Sequence, residues 1–199
     1  RKLHKAYNRV RDDNFSLQGL LGFNLHGKTV GLIGTGRIGQ ATARILHGFG
    51  MQLLCFDPQP NPAALPPSAR YVDLATLYRD SDVISLHCPL NDETRGLLGA
   101  VELAQMKPGA LLINCARGGV VDEQALADAL RLGHLGGAGV DVLSAEPPTA
   151  ANPLLAKDIP NLILTPHIAW AGRQARQAII NQLAENIAAF IAGVPLRRL

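Results

Sequence analysis

The chain has 199 residues, of which 47% are hydrophobic and 18% are charged, a composition that suits a globular domain with a substantial core. Its net charge is only +3 and its Lys and Arg residues are scattered, which argues against nucleic acid as a partner. No apolar run is long enough to span a membrane and no secretory signal opens the sequence, so neither a membrane location nor export is expected.

Helical and extended patterns alternate along the chain. The predicted helices cover residues 1–14, 40–46, 72–78, 101–106, 122–132 and 172–192. The predicted strands cover residues 29–33, 52–56, 83–87, 110–114, 136–142 and 162–165. The proline-rich stretch 58–67 is interpreted as a surface loop without regular structure.

Such alternation predicts an α/β fold, a doubly wound parallel (Rossmann) sheet with helices on both faces. In sheets of this kind, ligands bind at the carboxyl ends of the strands. Notable polar residues fall at or just after predicted strand ends, namely Asp57, His87, Arg117, Asp141 and His167. We therefore expect a ligand site along that edge of the sheet.

The first predicted strand is followed by G-x-G-x-x-G, formed by Gly34, Gly36 and Gly39. Between a strand and a helix, this spacing is typical of a dinucleotide-binding loop. Gly34 would permit the tight turn, Gly36 the approach of backbone to a pyrophosphate, and Gly39 the close packing of helix on strand. The N-terminal amides and the dipole of the following helix favour phosphate binding.

A carboxylate follows the second predicted strand. Asp57 lies at the distance from the glycine loop at which an acid binds the adenosine ribose diol. The same negative charge would repel a ribose 2′-phosphate. The sequence therefore predicts a dinucleotide site that prefers NAD to NADP, rather than a glycine-rich turn alone.

The cysteines indicate a reducing environment. Cys55, Cys88 and Cys115 are widely spaced, and each lies in or beside an apolar run. An odd number of cysteines in this pattern favours reduced thiols in a cytoplasmic protein over disulfides or a zinc site. We expect no bound metal.

Three side chains could act on a 2-hydroxy or 2-keto acid beside a nicotinamide. His167 could exchange a proton near neutral pH, Glu146 could stabilise its imidazolium, and Arg117 could bind a carboxylate through its planar guanidinium. Taken by themselves, the same residues could also be a histidine that caps a strand end, an ordinary loop Glu and a solvated loop Arg.

Six motifs together resemble those of the D-2-hydroxyacid dehydrogenase family, over the whole length of the chain. They are Gly34-Thr35-Gly36-Arg37-Ile38-Gly39, His87-Cys88-Pro89-Leu90, Met106-Lys107-Pro108-Gly109, Asn114-Cys115-Ala116-Arg117-Gly118-Gly119, Asp141-Val142 through Glu146-Pro147, and Thr165-Pro166-His167-Ile168-Ala169. The chain up to about Thr94 looks most like bacterial D-lactate dehydrogenases. From about Gly96 onward it looks more like hydroxypyruvate reductases, which are glycerate dehydrogenases.

The resemblance implies a role for each motif. It implies that the catalytic residues are Arg117, Glu146 and His167. It also implies that Asp141 holds the nicotinamide carboxamide and that Cys115 and Ala116 line the nicotinamide side. The other implied contacts with NAD, besides the glycines and Asp57, are Arg37, Ile38, His87, Cys88, Pro89, Thr94 and Ala169.

The activity implied by the resemblance is hydride transfer between NAD(H) and a small 2-keto or 2-hydroxy acid. Hydroxypyruvate and glycerate are the first expected pair, and pyruvate and lactate the second. Glu146, where formate dehydrogenases of the superfamily carry Gln, argues against formate. An alternative stays open, because the superfamily also contains NAD-sensing corepressors: the chain could bind NAD and a partner protein without turnover.

The family's substrate lobe is built mostly from residues that precede a segment like this one. We therefore expect residues 1–17 to form a leading helix, residues 18–171 the NAD-binding domain, and residues 172–199 a helix that returns to a substrate lobe outside this sequence. The isolated chain is expected to be inactive or very weak, because that lobe supplies half of the substrate contacts. Members of the family usually dimerise through this domain, so a homodimer is also expected.

Overall fold

The computed structural model describes residues 2–194 and 196. It divides into two compact units, Arg1–Leu164 and Thr165–Leu199. The first unit contains one sheet and the helices around it. The second contains a long helix that ends before Gly193, whose φ of 69° lies in the left-handed region that glycine adopts without steric cost.

The strands are β1 (Thr29–Ile33), β2 (Gln52–Phe56), β3 (Ala69–Tyr71), β4 (Val83–Leu86), β5 (Leu111–Asn114), β6 (Gly137–Val140) and β7 (Leu162–Leu164). The α-helices are α1 (Leu3–Arg11), α2 (Arg37–Gly48), α3 (Leu74–Asp80), α4 (Ala100–Gln105), α5 (Glu123–Arg131) and α6 (Arg173–Ile191). No helix in the described part of the chain combines the length and the hydrophobicity needed to cross a bilayer.

The predicted helices and strands are all present, with small shifts at their ends, although Arg1 lies outside the described residues. The interpretation of 58–67 as wholly irregular is wrong, because Pro62–Ala64 forms a 3-10 turn and Leu65 is buried. The strand β3 was not predicted from the sequence. This strand has three residues at the edge of the sheet and pairs with Leu53–Cys55 of β2, so it is too short to show an alternating pattern.

The strand order is β3-β2-β1-β4-β5-β6-β7, and every neighbouring pair is parallel. This confirms the predicted doubly wound sheet. The chain moves outward from β1 to β3 and then returns to β4 on the other side of β1. Ligand crevices in open α/β sheets form at such a reversal, here between β1 and β4.

Alternate residues of β1 pack on opposite faces of the sheet. Val30 and Leu32 belong to a core cluster with Ala43 of α2. Ile33 belongs to a second cluster with Leu77 of α3. Because α3 contacts α4 and α4 contacts α5, these three helices cover the face opposite to α2. The helices therefore lie on both faces, as the alternating pattern predicts.

Gly31 of β1 offers a test of this packing. A Cβ at this position would lie 2.5 Å from both Leu77 Cδ2 and Ser81 Oγ, which belong to fully buried residues. We expect Gly31→Ala to lower the free energy of unfolding by about 1–3 kcal/mol, because a well-packed core has no room for an added methyl group. Urea unfolding followed by circular dichroism measures the loss.

Gly48→Ala in α2 is the matched control, because a Cβ there would meet no heavy atom within 4 Å. This substitution should be neutral or should stabilise the chain by up to about 1 kcal/mol, since alanine favours helix over glycine. If the two variants lost the same stability, the packing of β1 against α3 would be contradicted.

Candidate cofactor and catalytic site

The register of the parallel strands aligns their last residues in one row. Ile33 of β1 pairs with Phe56 of β2 and with Leu86 of β4. Asn114 of β5 pairs with Leu86 and with Val140 of β6. With neighbouring strands about 4.8 Å apart, a row across these five strands is about 19 Å long. The residues that come next therefore form a parallel row, in the spatial order Asp57, Gly34, His87, Cys115 and Asp141.

Two of the three glycines in the G-x-G-x-x-G motif are required by the fold, one in the loop after β1 and one in the first turn of α2. Gly34 has a φ of 94°, and a Cβ there would lie 2.6 Å from the backbone N of Cys88. A Cβ at Gly39 would collide with the carbonyl oxygen of Gly34. The tight turn and the close packing of α2 are therefore as the spacing predicts.

Gly36 differs from the other two, because a Cβ there would meet no heavy atom within 4 Å. The fold does not require glycine at this position, whereas the approach of a pyrophosphate to the backbone would. Gly36 is also the N-cap of α2 and has no side chain to cap the first-turn amides. These amides lack partners within the helix and point toward the loop with the positive end of the dipole, so they suit phosphate oxygens. The following residues Arg37 and Ile38 are exposed.

Asp57 directly follows β2, beside the glycine loop, and is half-buried. Its Oδ2 accepts a hydrogen bond from the backbone N of Thr35 at 2.7 Å, and its Oδ1 accepts one from the backbone N of Gln59 at 2.9 Å. The carboxylate is thus fixed beside the loop. Its contact with a ribose diol stays a prediction.

His87 and Cys88 follow β4, next to the glycine loop. The ring Nε2 of His87 lies 3.0 Å from Ser85 Oγ, and burial lowers the pKa of His87 from its ordinary value. Burial also raises the pKa of the Cys88 thiol. At neutral pH both groups are therefore uncharged and add no charge beside the glycine loop.

Thr94 holds the shape of the loop after β4. Its Oγ1 donates to the carbonyl oxygen of Pro89 at 2.6 Å and accepts from the backbone N of Asn91 at 2.9 Å. These bonds fix the backbone that carries Pro89. The predicted cofactor contacts of Pro89 and Thr94 remain predictions.

Asn114, at the end of β5, organises the segment that carries Arg117. It is 2% exposed; its Oδ1 accepts from Ala116 N at 3.0 Å and its Nδ2 donates to the carbonyl oxygen of Arg117 at 3.0 Å. The exposed Arg117 donates one N–H to the carbonyl oxygen of Ala116 at 2.7 Å, and a guanidinium has further donors for a substrate carboxylate. Asn114 was named from the sequence only as part of a motif, although a polar residue that closes an apolar run was a usable signal.

Asp141 and Cys115 lie at the far end of the row. Asp141 is 3% exposed, and its backbone N donates to the carbonyl oxygen of Asn114 at 2.9 Å. The Cys115 side chain is close enough for the Asp141 charge to act on it: partial burial and then this charge raise the pKa of the thiol. The contact of Asp141 with a carboxamide stays a prediction.

The segment that carries Arg117 touches the segment that carries Glu146. A Cβ at Gly118 would collide with the carbonyl oxygen of Leu143, so the two backbones are in direct contact. Glu146 Oε1 accepts from the backbone N of Leu143 at 2.8 Å, which orients the carboxylate. The structure therefore brings two of the three predicted catalytic segments together.

Glu123, the first residue of α5, fixes the segment of Glu146 from the other side. Its carboxylate accepts from Ser144 N at 2.6 Å, from Ser144 Oγ at 3.0 Å and from Asn152 Nδ2 at 2.7 Å. Glu123 was not predicted as a site residue from the sequence. Its partners lie 21 and 29 residues away along the chain, so no local pattern shows the contact.

His167 belongs to the second unit and has an unusual backbone. Its φ of 52° lies in the left-handed region, and its N–H donates to the carbonyl oxygen of Thr165 at 3.0 Å. For a non-glycine residue this conformation costs energy and is concentrated at functional sites. The roles predicted for His167 and for Ala169, in the same unit, stay predictions.

Comparisons with known proteins agree on one family. Residues 1–169 match the sequence profile of "D-isomer specific 2-hydroxyacid dehydrogenase, NAD binding domain". The chain is 44% identical over 198 residues to D-lactate dehydrogenase of Escherichia coli (strain K12), covering 94% of this chain and 60% of that protein. It is 46% identical over 173 residues to glycerate dehydrogenase of Methylorubrum extorquens, covering 87% and 53%.

The solved structures include the apo-structure of D-lactate dehydrogenase from Escherichia coli. It is similar to this chain with a TM-score of 0.89 and 45% identity, over 99% of this chain and 62% of that one. The chain spans 60% and 53% of the lengths of the two curated relatives. Both relatives are of the kinds that the two parts of the sequence resemble.

The partly buried His87 provides a pH test of the site. Its pKa in the folded chain lies below the ordinary 6.5, so the unfolded chain takes up the proton more readily as the pH falls below that value. The stability that the neutral ring contributes is present above the unfolded pKa and is lost as the pH falls toward the lowered pKa. We expect urea unfolding to show a lower free energy of unfolding at about pH 5 than at about pH 7.

His87→Gln should make this loss smaller, because the variant has no proton to take up in either state. His4→Gln is the matched control, since His4 is exposed, and should leave the pH dependence unchanged. A His87→Gln chain with the full pH dependence would show that His87 is not held neutral by burial.

Proposed function

We propose a function from the premise that this chain belongs to the D-isomer specific 2-hydroxyacid dehydrogenase family and matches its NAD-binding domain. The proposed reaction is hydride transfer between NAD(H) and a small 2-keto or 2-hydroxy acid. One observation carries the proposal: the strand register orders Asp57, the glycine loop and Asp141 along one edge, as the ribose, pyrophosphate and carboxamide of an extended dinucleotide require.

The residues along this edge fit NAD at three points. The loop of Gly34 and Gly36 and the first turn of α2 suit the pyrophosphate, because open backbone and helix amides face it. Asp57 suits the ribose diol, and Asp141 suits the carboxamide at the other end of the row. NADH supplies the hydride when bound.

The catalytic proposal assigns one task to each of three residues. In the reductive direction His167, as imidazolium, donates a proton to the carbonyl oxygen of the keto acid. Glu146 stabilises the imidazolium and fixes its tautomer, and Arg117 binds the substrate carboxylate. The contact between the segments of Arg117 and Glu146, and the left-handed backbone of His167, support this assignment.

Hydroxypyruvate and glycerate are the first proposed substrate pair, and pyruvate and lactate the second. The two named relatives, a glycerate dehydrogenase and a D-lactate dehydrogenase, support both pairs. Because these relatives are dehydrogenases, an enzyme is favoured over an NAD-binding sensor module without turnover.

The relatives' greater length supports the proposed organisation. Residues 1–17 are the proposed leading helix, residues 18–171 the NAD-binding domain, and residues 172–199 a helix that returns to a substrate lobe outside this sequence. Residues 1, 195 and 197–199 of these ranges lie outside the described residues. We place the protein in the cytoplasm, without nucleic-acid or membrane partners; the cysteines Cys55, Cys88 and Cys115 are free thiols, as a reducing compartment allows.

The proposed homodimer uses α1 and the segment that follows it. No residue of α1 is buried. Arg9 Nη1 donates to the carbonyl oxygens of Ser16 and Gln18 at 2.6 and 2.9 Å and so holds the segment against the helix. Large apolar side chains on this surface are exposed, namely Leu3, Tyr7, Val10, Phe15, Leu17, Leu21 and Phe23. So many exposed large apolar side chains in one short stretch of the chain favour an interaction site there, and a second copy of the chain is the proposed partner.

Cofactor preference tests the proposed dinucleotide site. We expect NADH to bind at least about tenfold more tightly than NADPH, because the Asp57 carboxylate opposes a 2′-phosphate. Asp57→Ala should narrow that gap, and Asp92→Ala, which removes an exposed acid after β4, should leave it unchanged. Isothermal titration calorimetry measures both affinities; equal affinities in the unmutated chain would refute the assignment.

Charged substitutions on the exposed apolar surface test the proposed self-association. Phe15 is 83% and Leu17 is 80% exposed, so a double Phe15→Glu and Leu17→Glu variant should fold and should be monomeric. Leu132→Glu, at a position 83% exposed beyond α5, should remain dimeric. Light scattering at about 50 μM measures the mass, and a monomeric unmutated chain would count against the dimer.

Turnover tests the catalytic assignment. The isolated chain should reduce hydroxypyruvate or pyruvate barely above background. Full positioning of the reactants can be worth about 7–11 kcal/mol of barrier, and losing the part that a second lobe supplies should cost several decades in rate. In a full-length protein that carries this chain, His167→Ala should abolish most turnover and leave NADH affinity nearly unchanged. Fast turnover by the isolated chain, or an active His167→Ala enzyme, would contradict these expectations.

A further inference from the structure

A chain of hydrogen bonds runs from the edge strand β3 to Asp57. The backbone N of Asn61 lies 3.0 Å from Tyr71 OH, Tyr71 OH lies 2.8 Å from Thr35 Oγ1, and Thr35 Oγ1 lies 3.1 Å from Asp57 Oδ2. A backbone N–H only donates and an ionised carboxylate only accepts. All three contacts are hydrogen bonds only if Tyr71 donates to Thr35 and Thr35 donates to Asp57. We call this chain of hydrogen bonds the relay. Its donors run in one direction only, from Asn61 N through Tyr71 OH and Thr35 Oγ1 to the Asp57 carboxylate.

The relay decides which oxygen of Asp57 remains available. Oδ2 already accepts from both the N–H and the hydroxyl of Thr35, and Oδ1 accepts from Gln59 N. A carboxylate has about four acceptor positions, so Oδ1 has the greater remaining capacity. A ribose diol that donates a hydrogen bond to Asp57 would therefore donate it to Oδ1.

Burial strengthens the hydrogen bonds of the relay. Thr35 is 4% exposed, and Tyr71 and Asp57 are half-buried. Hydrogen bonds to a charged acceptor are the stronger kind, and in partly desolvated surroundings each bond of a chain polarises the next. The Tyr71 hydroxyl therefore strengthens the hydrogen bond from Thr35 Oγ1 to Asp57. It also accepts a hydrogen bond from the backbone N of Asn61 and so fixes that loop.

We infer that Tyr71 and Thr35 are positioning residues for cofactor selectivity, which hold Asp57 so that Oδ1 faces the adenosine ribose and the charge faces any 2′-phosphate. The inference rests on the proposed NAD site. It gives β3 a functional task, since this short edge strand is what carries Tyr71 to the glycine loop.

The experiment measures the ratio of the dissociation constants of NADPH and NADH by calorimetry on the full chain. Tyr71→Phe keeps the ring and removes the hydroxyl, and should lower this ratio by about threefold to tenfold. Thr35→Val should lower it at least as far, because the direct bond to Asp57 is lost. Thr35→Ser, which keeps the hydroxyl, should retain a ratio close to that of the unmutated chain.

A double-mutant cycle separates positioning from a general loss of stability. In an Asp57→Ala background, Tyr71→Phe should leave the ratio unchanged, because no carboxylate remains to be positioned. Tyr78→Phe is the matched control: among the described side chains, the Tyr78 hydroxyl is buried without a hydrogen-bond partner and lies outside the relay. This control should leave the ratio unchanged.

Two results would overturn the inference while the proposed function stands. In the first, Asp57→Ala changes the ratio and Tyr71→Phe does not. In the second, Tyr71→Phe changes the ratio equally with and without Asp57, so Tyr71 acts on the cofactor by itself. An unmutated chain that binds neither dinucleotide would overturn the proposed function and this inference together.

Discussion

Parallel pairing in a single register sets the positions of the candidate residues that directly follow the strands of the first unit. A slip of one residue would move a strand end by about 3.3 Å and would turn its buried side chains to the other face of the sheet. Val30 and Leu32 are fully buried in one core cluster, and Ile84 and Leu86 are fully buried in the other. Because helices cover both faces, a slip would force large side chains into core positions that have no room for them, such as that of Gly31. The contacts that stabilise the core therefore also determine the spacing of the site.

Most of the fold could be predicted because its signals are local. The runs Thr29–Ile33 and Gln52–Phe56 are short and mostly apolar, and each ends at a glycine or a charged residue, Gly34 and Asp57. The predicted bounds are those of β1 and β2. The helix predicted over 122–132 is present as α5, with Asp122 as its N-cap. The strand β3 could not be predicted, because three residues after a proline-rich loop become a strand only through pairing with β2.

The residues of the site fall into the same two groups, those that a local pattern predicts and those whose contacts only the tertiary structure creates. Gly34, Gly39 and Asp57 could be predicted because a spacing along the chain specifies them. The hydrogen bonds of Glu123 could not, because they join parts of the chain that only tertiary structure brings together. The left-handed backbone of His167 has no signature in side-chain chemistry, since φ above zero is recognisable from sequence mainly at glycine.

The smaller core cluster has a consequence for how such a domain can change. Its buried members all lie between Val30 and Leu65, and the residues packed against it end at Val83. The point at which the resemblance shifts from one kind of dehydrogenase to another, between Thr94 and Gly96, lies beyond all of them. An exchange of genetic material at that loop would replace the segments of Arg117 and Glu146 and leave this core whole. The part of the sheet that carries the glycine loop and Asp57 would thus pass through such an exchange unchanged, while the segments proposed to act on the substrate would be new.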